Sequence, residues 1–201
     1  MPSKLPVPHL KLPDFLSAAD HAALLRWTLE NESRFAASGV GAEGKVDTAI
    51  RRSKTLQDLG PLRTVLEQAA RTQYKDWIRA LRASDFELVD VELQLAAHND
   101  GAHFKRHVDT QVHAPTGRSV RALSAVYYYF REPRGFSGGD LRMFPFAPRP
   151  DEDVFATVSP EQNTLVVFPA WATHEVSTVH CPSRQFTDSR FAVNCWLHTA
   201  R

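Results

Sequence analysis

The chain has 201 residues, 43% hydrophobic and 23% charged, a composition that suits one globular domain with a sizeable core. Twenty-four Lys and Arg against 23 Asp and Glu leave a net charge of +1, so bulk electrostatics call for neither nucleic acid nor an anionic membrane. No apolar run reaches the length of a membrane span, the N-terminus is too polar and Pro-rich for a signal peptide, and Cys181 and Cys195 form no CxxC; a reduced, cytoplasmic protein is expected.

Residues 1–14 carry Pro2, Pro6, Pro8 and Pro13 and read as an extended arm. Ser17 and Asp20 resemble a capping pair, which starts a helix over about 17–31 with Leu24, Leu25, Thr28 and Leu29 on one face. Residues 38–44 are small and Gly-rich, a loop, and a strand is expected near 48–56. Pro61 opens a second helix to about 81, with Leu62, Val65, Leu66, Ala69, Trp77, Ile78 and Leu81 at helical spacing.

After residue 85 the period changes from helical to alternating. Val89, Val91, Leu93, Leu95 and Ala97 are interleaved with Asp90, Glu92 and Gln94, a half-buried strand. Further strand-like runs follow at about 103–107, 119–130, 140–145, 153–158, 164–168, 173–179 and 190–198, separated by Gly- and Pro-containing breaks. Helices followed by many short strands predict an α+β fold: a double-stranded β-helix, or jelly roll, over 86–201, with helical support from 1–85, all in one domain over 1–201. The irregular stretch 146–161 and the region 43–58 are read as walls of an entrance, and the basic run Arg51-Arg52-Ser53-Lys54 as a solvated face rather than a contact for an acidic substrate.

His107-Val108-Asp109 ends one predicted strand. Residues i and i+2 of an extended segment point to one side, so an imidazole and a carboxylate can meet one ion. His174, 65 residues beyond Asp109 and just after the strand 164–168, is the best third ligand; His103, on the strand of His107, is its rival. A single His-x-Asp arises often by chance. Two His and one carboxylate, however, make the facial triad of non-haem Fe(II) oxygenases, which leaves three coordination positions open for a chelating keto acid and dioxygen.

A keto diacid has a distal carboxylate that needs a buried cation, and the arginine fork pairs both oxygens. Arg190 opens an alternating strand that puts Arg190, Ala192 and Asn194 on one face and Phe191, Val193 and Cys195 on the other; Arg184, in a polar loop, is the alternative. Within Tyr127-Tyr128-Tyr129 neighbours face opposite ways, so a hydroxyl can reach the same carboxylate, with Tyr128 the candidate.

Taken together, Leu93 to Asp109, Val126-Tyr127-Tyr128-Tyr129, Gly138 to Pro145, Val167-Phe168-Pro169, His174-Glu175-Val176 and Arg190 to Trp196 resemble the prolyl 4-hydroxylase-like branch of the 2-oxoglutarate/Fe(II) dioxygenases. The resemblance covers roughly 86–198 and is closest to the oxygen-sensing prolyl hydroxylases and their bacterial relatives. It implies Fe(II) on His107, Asp109 and His174, with 2-oxoglutarate on Arg190 and Tyr128 and Leu141 and Asn194 lining its pocket. It further implies ascorbate as an auxiliary cofactor, dioxygen as co-reactant, and hydroxylation of a prolyl residue in a protein or peptide. Arg190 lies sixteen residues after His174 where relatives place the basic residue nine or ten after, which implies an insertion within 180–189. The alternatives are hydroxylation of a free amino acid or small metabolite, a non-catalytic metal-binding sensor, and a zinc hydrolase, the last without an HExxH-like base.

Overall fold

A computed structural model describes residues 7–39, 45–110, 119–145 and 155–201. In chain order these form β1 (Leu10–Leu12), α1 (Ala18–Glu30), β2 (Ala36–Ala37), β3 (Arg51–Arg52), β4 (Lys54–Leu56), α2 (Leu62–Leu81), β5 (Leu88–His98), β6 (His103–His107), β7 (Ser119–Tyr129), β8 (Ser137–Gly138), β9 (Leu141–Met143), β10 (Ala156–Val158), β11 (Thr164–Pro169), β12 (His174–Val176), β13 (Val179–His180) and β14 (Arg190–Ala200). The helices begin and end where their chemistry dictates. Ser17 Oγ accepts from the Asp20 amide at 3.1 Å, capping α1. Pro61 precedes α2, and Arg82 closes it in the left-handed conformation.

Two antiparallel sheets face one another, the jelly-roll arrangement expected. The larger has the order β1-β11-β7-β14-β5-β4-β2 and the smaller β10-β9-β12-β6-β3. The helices cover the outer face of the larger sheet. There Leu24, Leu66, Trp77 and Ile78 pack against Leu93, Leu95, Tyr127, Tyr129, Phe191 and Val193, and each such side chain gains about 1.5–3 kcal/mol from burial. The inner face carries Tyr128, Val166, Phe168 and Ala192, which meet Leu141, Met143 and Val158 from the smaller sheet. Strands β7 and β14 are therefore buried on both faces, one toward the helices and one toward the space between the sheets.

The structure departs from the sequence reading in a few places. Part of the Pro-rich arm is β1, paired with Leu165–Val167 of β11. Ala70, rather than Ala69, is buried beneath α2. The strand expected at 48–56 breaks at Ser53: β3 joins the smaller sheet through Arg51↔Phe104, and β4 joins the larger through Leu56↔Leu95. The chain thus crosses from one sheet to the other at the mouth of the sandwich. The run near 173–179 splits into β12 and β13. Most of the 146–161 entrance wall and part of the 38–44 loop lie outside the described residues. No described helix is long and apolar enough to cross a membrane.

Candidate active site

Strand register brings the triad together. His107, the last residue of β6, is the direct cross-strand partner of His174, the first residue of β12, so residues far apart in sequence become lateral neighbours. Their rings lie 4.2 Å apart. Asp109 follows in the turn, where its amide donates to the Ala170 carbonyl at 2.9 Å and pins that turn to the segment before β12. One ligand atom from each of His107, Asp109 and His174 can be chosen so that all lie within 4.8 Å of one another, a group that could hold a metal ion.

The hydrogen bonds fix which atoms face the centre. His107 Nδ1 lies 2.7 Å from the Lys105 carbonyl and His174 Nδ1 lies 2.8 Å from the Ala172 carbonyl. A carbonyl only accepts, so both Nδ1 atoms carry the proton and both Nε2 lone pairs are left for a ligand. Those Nε2 atoms stand 3.6 and 3.7 Å from the two Asp109 oxygens. Ser124 Oγ donates to Asp109 Oδ2 at 2.7 Å and orients the carboxylate from behind. Burial lowers the His174 imidazole to about 4, against the opposing pull of Asp109. Burial alone would raise the Asp109 carboxyl, but His107, His174 and Ser124 hold it well below the usual carboxylate range. The cluster offers two imidazole nitrogens and one carboxylate, a donor set suited to a divalent transition metal.

The cleft running inward from the triad is lined by Arg190, Tyr128, Leu141, Asn194 and Trp196, together with His98 and Arg51. Arg190 is 1% exposed and Tyr128 wholly buried. Of three consecutive tyrosines, the outer two have partners: Tyr127 donates to Asn163 Oδ1 at 2.8 Å, and Tyr129 shares a 2.8 Å bond with Thr28. Among the described residues the Tyr128 hydroxyl has none, and neither has Arg190 Nε. A sealed polar atom without a partner costs about 1–3 kcal/mol, a cost that an anion bound between the two would relieve. Gly139, at φ +70°, lets the β8–β9 turn press on Arg190; a Cβ there would stand 2.6 Å from Arg190 Cδ.

The rivals fall elsewhere. His103 sits four residues from His107 along β6, a span of about 13 Å, and its Nδ1 meets the Gly101 carbonyl at 3.1 Å. Arg184 is exposed and pairs with Asp100 at 3.3 Å. The segment 180–189, holding a short 3-10 turn at Phe186–Asp188, separates it from β14.

Two residues of the cleft escaped the sequence reading. His98 ends β5, 4% exposed, and its Nδ1 accepts from Arg190 Nη1 at 3.2 Å. Burial, and then the Arg190 charge, lower its basicity well below the ordinary imidazole range, so it remains neutral. Arg51 was read as part of a solvated run, yet it is only 9% exposed because β3 folds over the cleft. Neither carries a local signal: β3 is two residues long with Arg52 exposed, and His98 is the last residue of β5.

Residues 93–198 match the profile of the 2OG-Fe(II) oxygenase superfamily. The chain belongs to that superfamily. A PKHD-type hydroxylase of Synechocystis sp., itself described as uncharacterized, is 29% identical over 199 residues; the match takes in 96% of this chain and 64% of that protein's length. Among solved structures, a Pseudomonas putida prolyl-4-hydroxylase superposes with a TM-score of 0.69 at 23% identity, covering 97% of this chain and 94% of its own. A Trichoplax adhaerens prolyl hydroxylase in complex with a hypoxia inducible factor peptide fragment gives 0.67 at 18%, covering 96% and 84%. At those identities the likeness is one of fold.

Proposed function

We propose that this oxygenase hydroxylates a C–H bond, with His107, Asp109 and His174 as the iron ligands. In this reading Arg190 and Tyr128 hold the distal carboxylate of 2-oxoglutarate, and Leu141 and Asn194 line its pocket. The observation that carries the reading is the orphaned pair, Tyr128 hydroxyl and Arg190 Nε, sealed beside a cluster of two imidazoles and a carboxylate. When bound, Fe(II) and 2-oxoglutarate supply the oxidation: dioxygen is split between the substrate and the keto acid, which leaves as succinate and CO2.

The protein's own residues orient and enclose. His107 and His174 offer Nε2 because their Nδ1 protons are held by backbone carbonyls; Ser124 turns the Asp109 carboxylate; Arg190, braced by His98 and by the Gly139 turn, neutralises the cosubstrate's far end. Leu141, Val176 and Trp196 keep the cleft apolar between those polar ends. Trp196 is itself clamped by Arg121, 3.8 Å from its ring and bidentate on Glu92.

For the substrate, we propose a prolyl residue in a protein or peptide, on the strength of the prolyl hydroxylases that share the fold. A second reading, a free amino acid or other small metabolite, draws on the second buried guanidinium in the cleft, Arg51. The reading further takes residues 1–201 as one working domain, ascorbate as the reductant that restores Fe(II), and the cytoplasm as its place, where Cys181 and Cys195 stay free thiols.

The test is anaerobic titration with Fe(II) and 2-oxoglutarate, watching for the visible charge-transfer band of a chelated keto acid. The band is expected in the wild type, weakened in Arg190→Ala and retained in Arg184→Ala. Metal binding without a band would return the protein to the sensor or zinc reading.

A further inference from the structure

Resting on the proposed iron and 2-oxoglutarate sites, a count of charge in the cleft leaves one residue over. An Fe(II) ion, the Asp109 carboxylate, the Arg190 guanidinium and a doubly ionised 2-oxoglutarate sum to zero. Arg51 adds one positive charge to the same cleft. It is 9% exposed, against 1% for Arg190, and the cost of that burial brings its basicity down to about 10 despite the nearby Asp109 charge.

Its neighbours hold Arg51 in place without neutralising it. Nε donates to Ser53 Oγ and Nη2 to Gln94 Oε1, each at 3.1 Å, and both acceptors are uncharged. Among the described residues Nη1 has no hydrogen-bond partner, and no carboxylate is in ion-pair contact with the side chain. The guanidinium lies 4.9 Å over the Phe104 ring, and that ring stacks on His107 with centroids 3.5 Å apart. A fixed cation therefore stands one aromatic ring away from a proposed iron ligand. It also borders the outer groove formed with Arg52, Lys54 and Asn99, so it sits where that groove meets the cleft. A buried, pre-oriented cation with neutral supports and a vacant donor is the arrangement of an anion receptor.

We propose that Arg51 is a specificity residue that binds a carboxylate of the substrate, so that the oxidised C–H bond belongs to a carboxylate-bearing residue or molecule. A free amino acid and the C-terminal residue of a peptide both supply that group; an internal residue whose own carboxyl is an amide does not.

The experiment uses a panel of N-acetyl amino acids, proline included, each as the free acid and as the amide, together with the free amino acids. Binding is measured by calorimetry on anaerobic protein loaded with Fe(II) and 2-oxoglutarate, while the visible cosubstrate band is recorded in parallel. The expected result is that acids bind about tenfold or more tightly than their amides. In Arg51→Gln that preference is expected to fall below about twofold, and in Arg51→Lys to survive in part. Tighter binding of the N-acetyl acids would point to a peptide C-terminus, and of the free amino acids to a small metabolite; either supports the proposal. Equal binding of acids and amides, no binding by any of the acids, or an acid preference undiminished in Arg51→Gln would overturn it. Loss of the cosubstrate band in Arg51→Gln would assign the residue to 2-oxoglutarate and overturn it equally. Absence of the band in the wild type would instead count against the iron and cosubstrate reading, a separate result.

Discussion

The guanidinium carbon of Arg190 lies 4.8 Å from the centre of the Tyr128 ring. The two residues occupy adjacent strands, with Tyr128 opposite Ala192, and each keeps one sealed polar atom without a hydrogen-bond partner among the described residues. An arrangement that is unfavourable in the empty protein and favourable with a bound carboxylate makes stability and affinity respond in opposite directions, which can be measured.

Tyr128→Phe removes a hydroxyl that has no hydrogen-bond partner among the described residues. The metal-free protein is expected to be unchanged or up to about 1 kcal/mol more stable, while 2-oxoglutarate affinity falls by about 10–100-fold through loss of a hydrogen bond to a charged group. Tyr129→Phe should do the reverse: it strips Thr28 of its partner, costs about 1–3 kcal/mol, and leaves the cosubstrate affinity alone. Urea unfolding and titration of the charge-transfer band in both variants check this pair.

Asp109→Ala is expected to abolish substrate oxidation, and full activity in that variant would remove Asp109 from the metal site. Ser124→Ala probes the same carboxylate more gently. Loss of its 2.7 Å hydrogen bond should weaken Fe(II) binding by about 10–100-fold with the fold intact, as read by metal titration and circular dichroism.

Gly139→Ala drives a methyl toward Arg190 Cδ at a left-handed backbone position. A loss of about 1–3 kcal/mol is expected. With it, KM for 2-oxoglutarate should rise by a larger factor than kcat falls, because the displaced group is the proposed counter-ion of the cosubstrate. Steady-state kinetics at saturating substrate separate the two effects.

Acidification should destabilise the metal-free protein through its buried histidines. His174 is lowered to about 4 and His98 well below 6.5, each chiefly by burial. Above about pH 6.5 both states are neutral and nothing is lost; below it the unfolded chain takes up the protons first, so stability falls as pH drops toward the folded values. Each histidine contributes at most about 1.4 kcal/mol per pH unit in that window. Thermal melts between about pH 7.5 and 5 should show the slope, and His98→Gln should flatten it by up to one proton's worth. An unaltered slope in that variant would place the acid sensitivity elsewhere.

The sequence carried the jelly roll because its long strands alternate clearly. In β14 the sorting of Arg190 and Asn194 from Phe191, Val193 and Cys195 matches the cleft on one face and the helix-covered core on the other. The triad was legible for a similar reason, since His-x-Asp at a strand end and a later histidine are both strand-level features. What stayed hidden depends on partners distant in sequence. Arg51 looks solvated beside Arg52 and Lys54, and only the crossing between sheets at Ser53 encloses it. His98 has no local cue that distinguishes a loop from a strand end, and its role follows from pairing opposite Arg190. A three-residue strand such as β1, set in a Pro-rich arm, is defined by the strand it joins rather than by its own pattern.

That short strand has a consequence for handling the protein. All six residues of β11 are buried, and β1 covers its outer margin through Leu10, Lys11 and Leu12. Trimming the chain after Leu12 would uncover a row of main-chain amides and carbonyls along a strongly apolar strand, an invitation for another molecule to add itself there. The first symptom of such a truncation would be self-association in solution, ahead of any change in the iron chemistry some strands away.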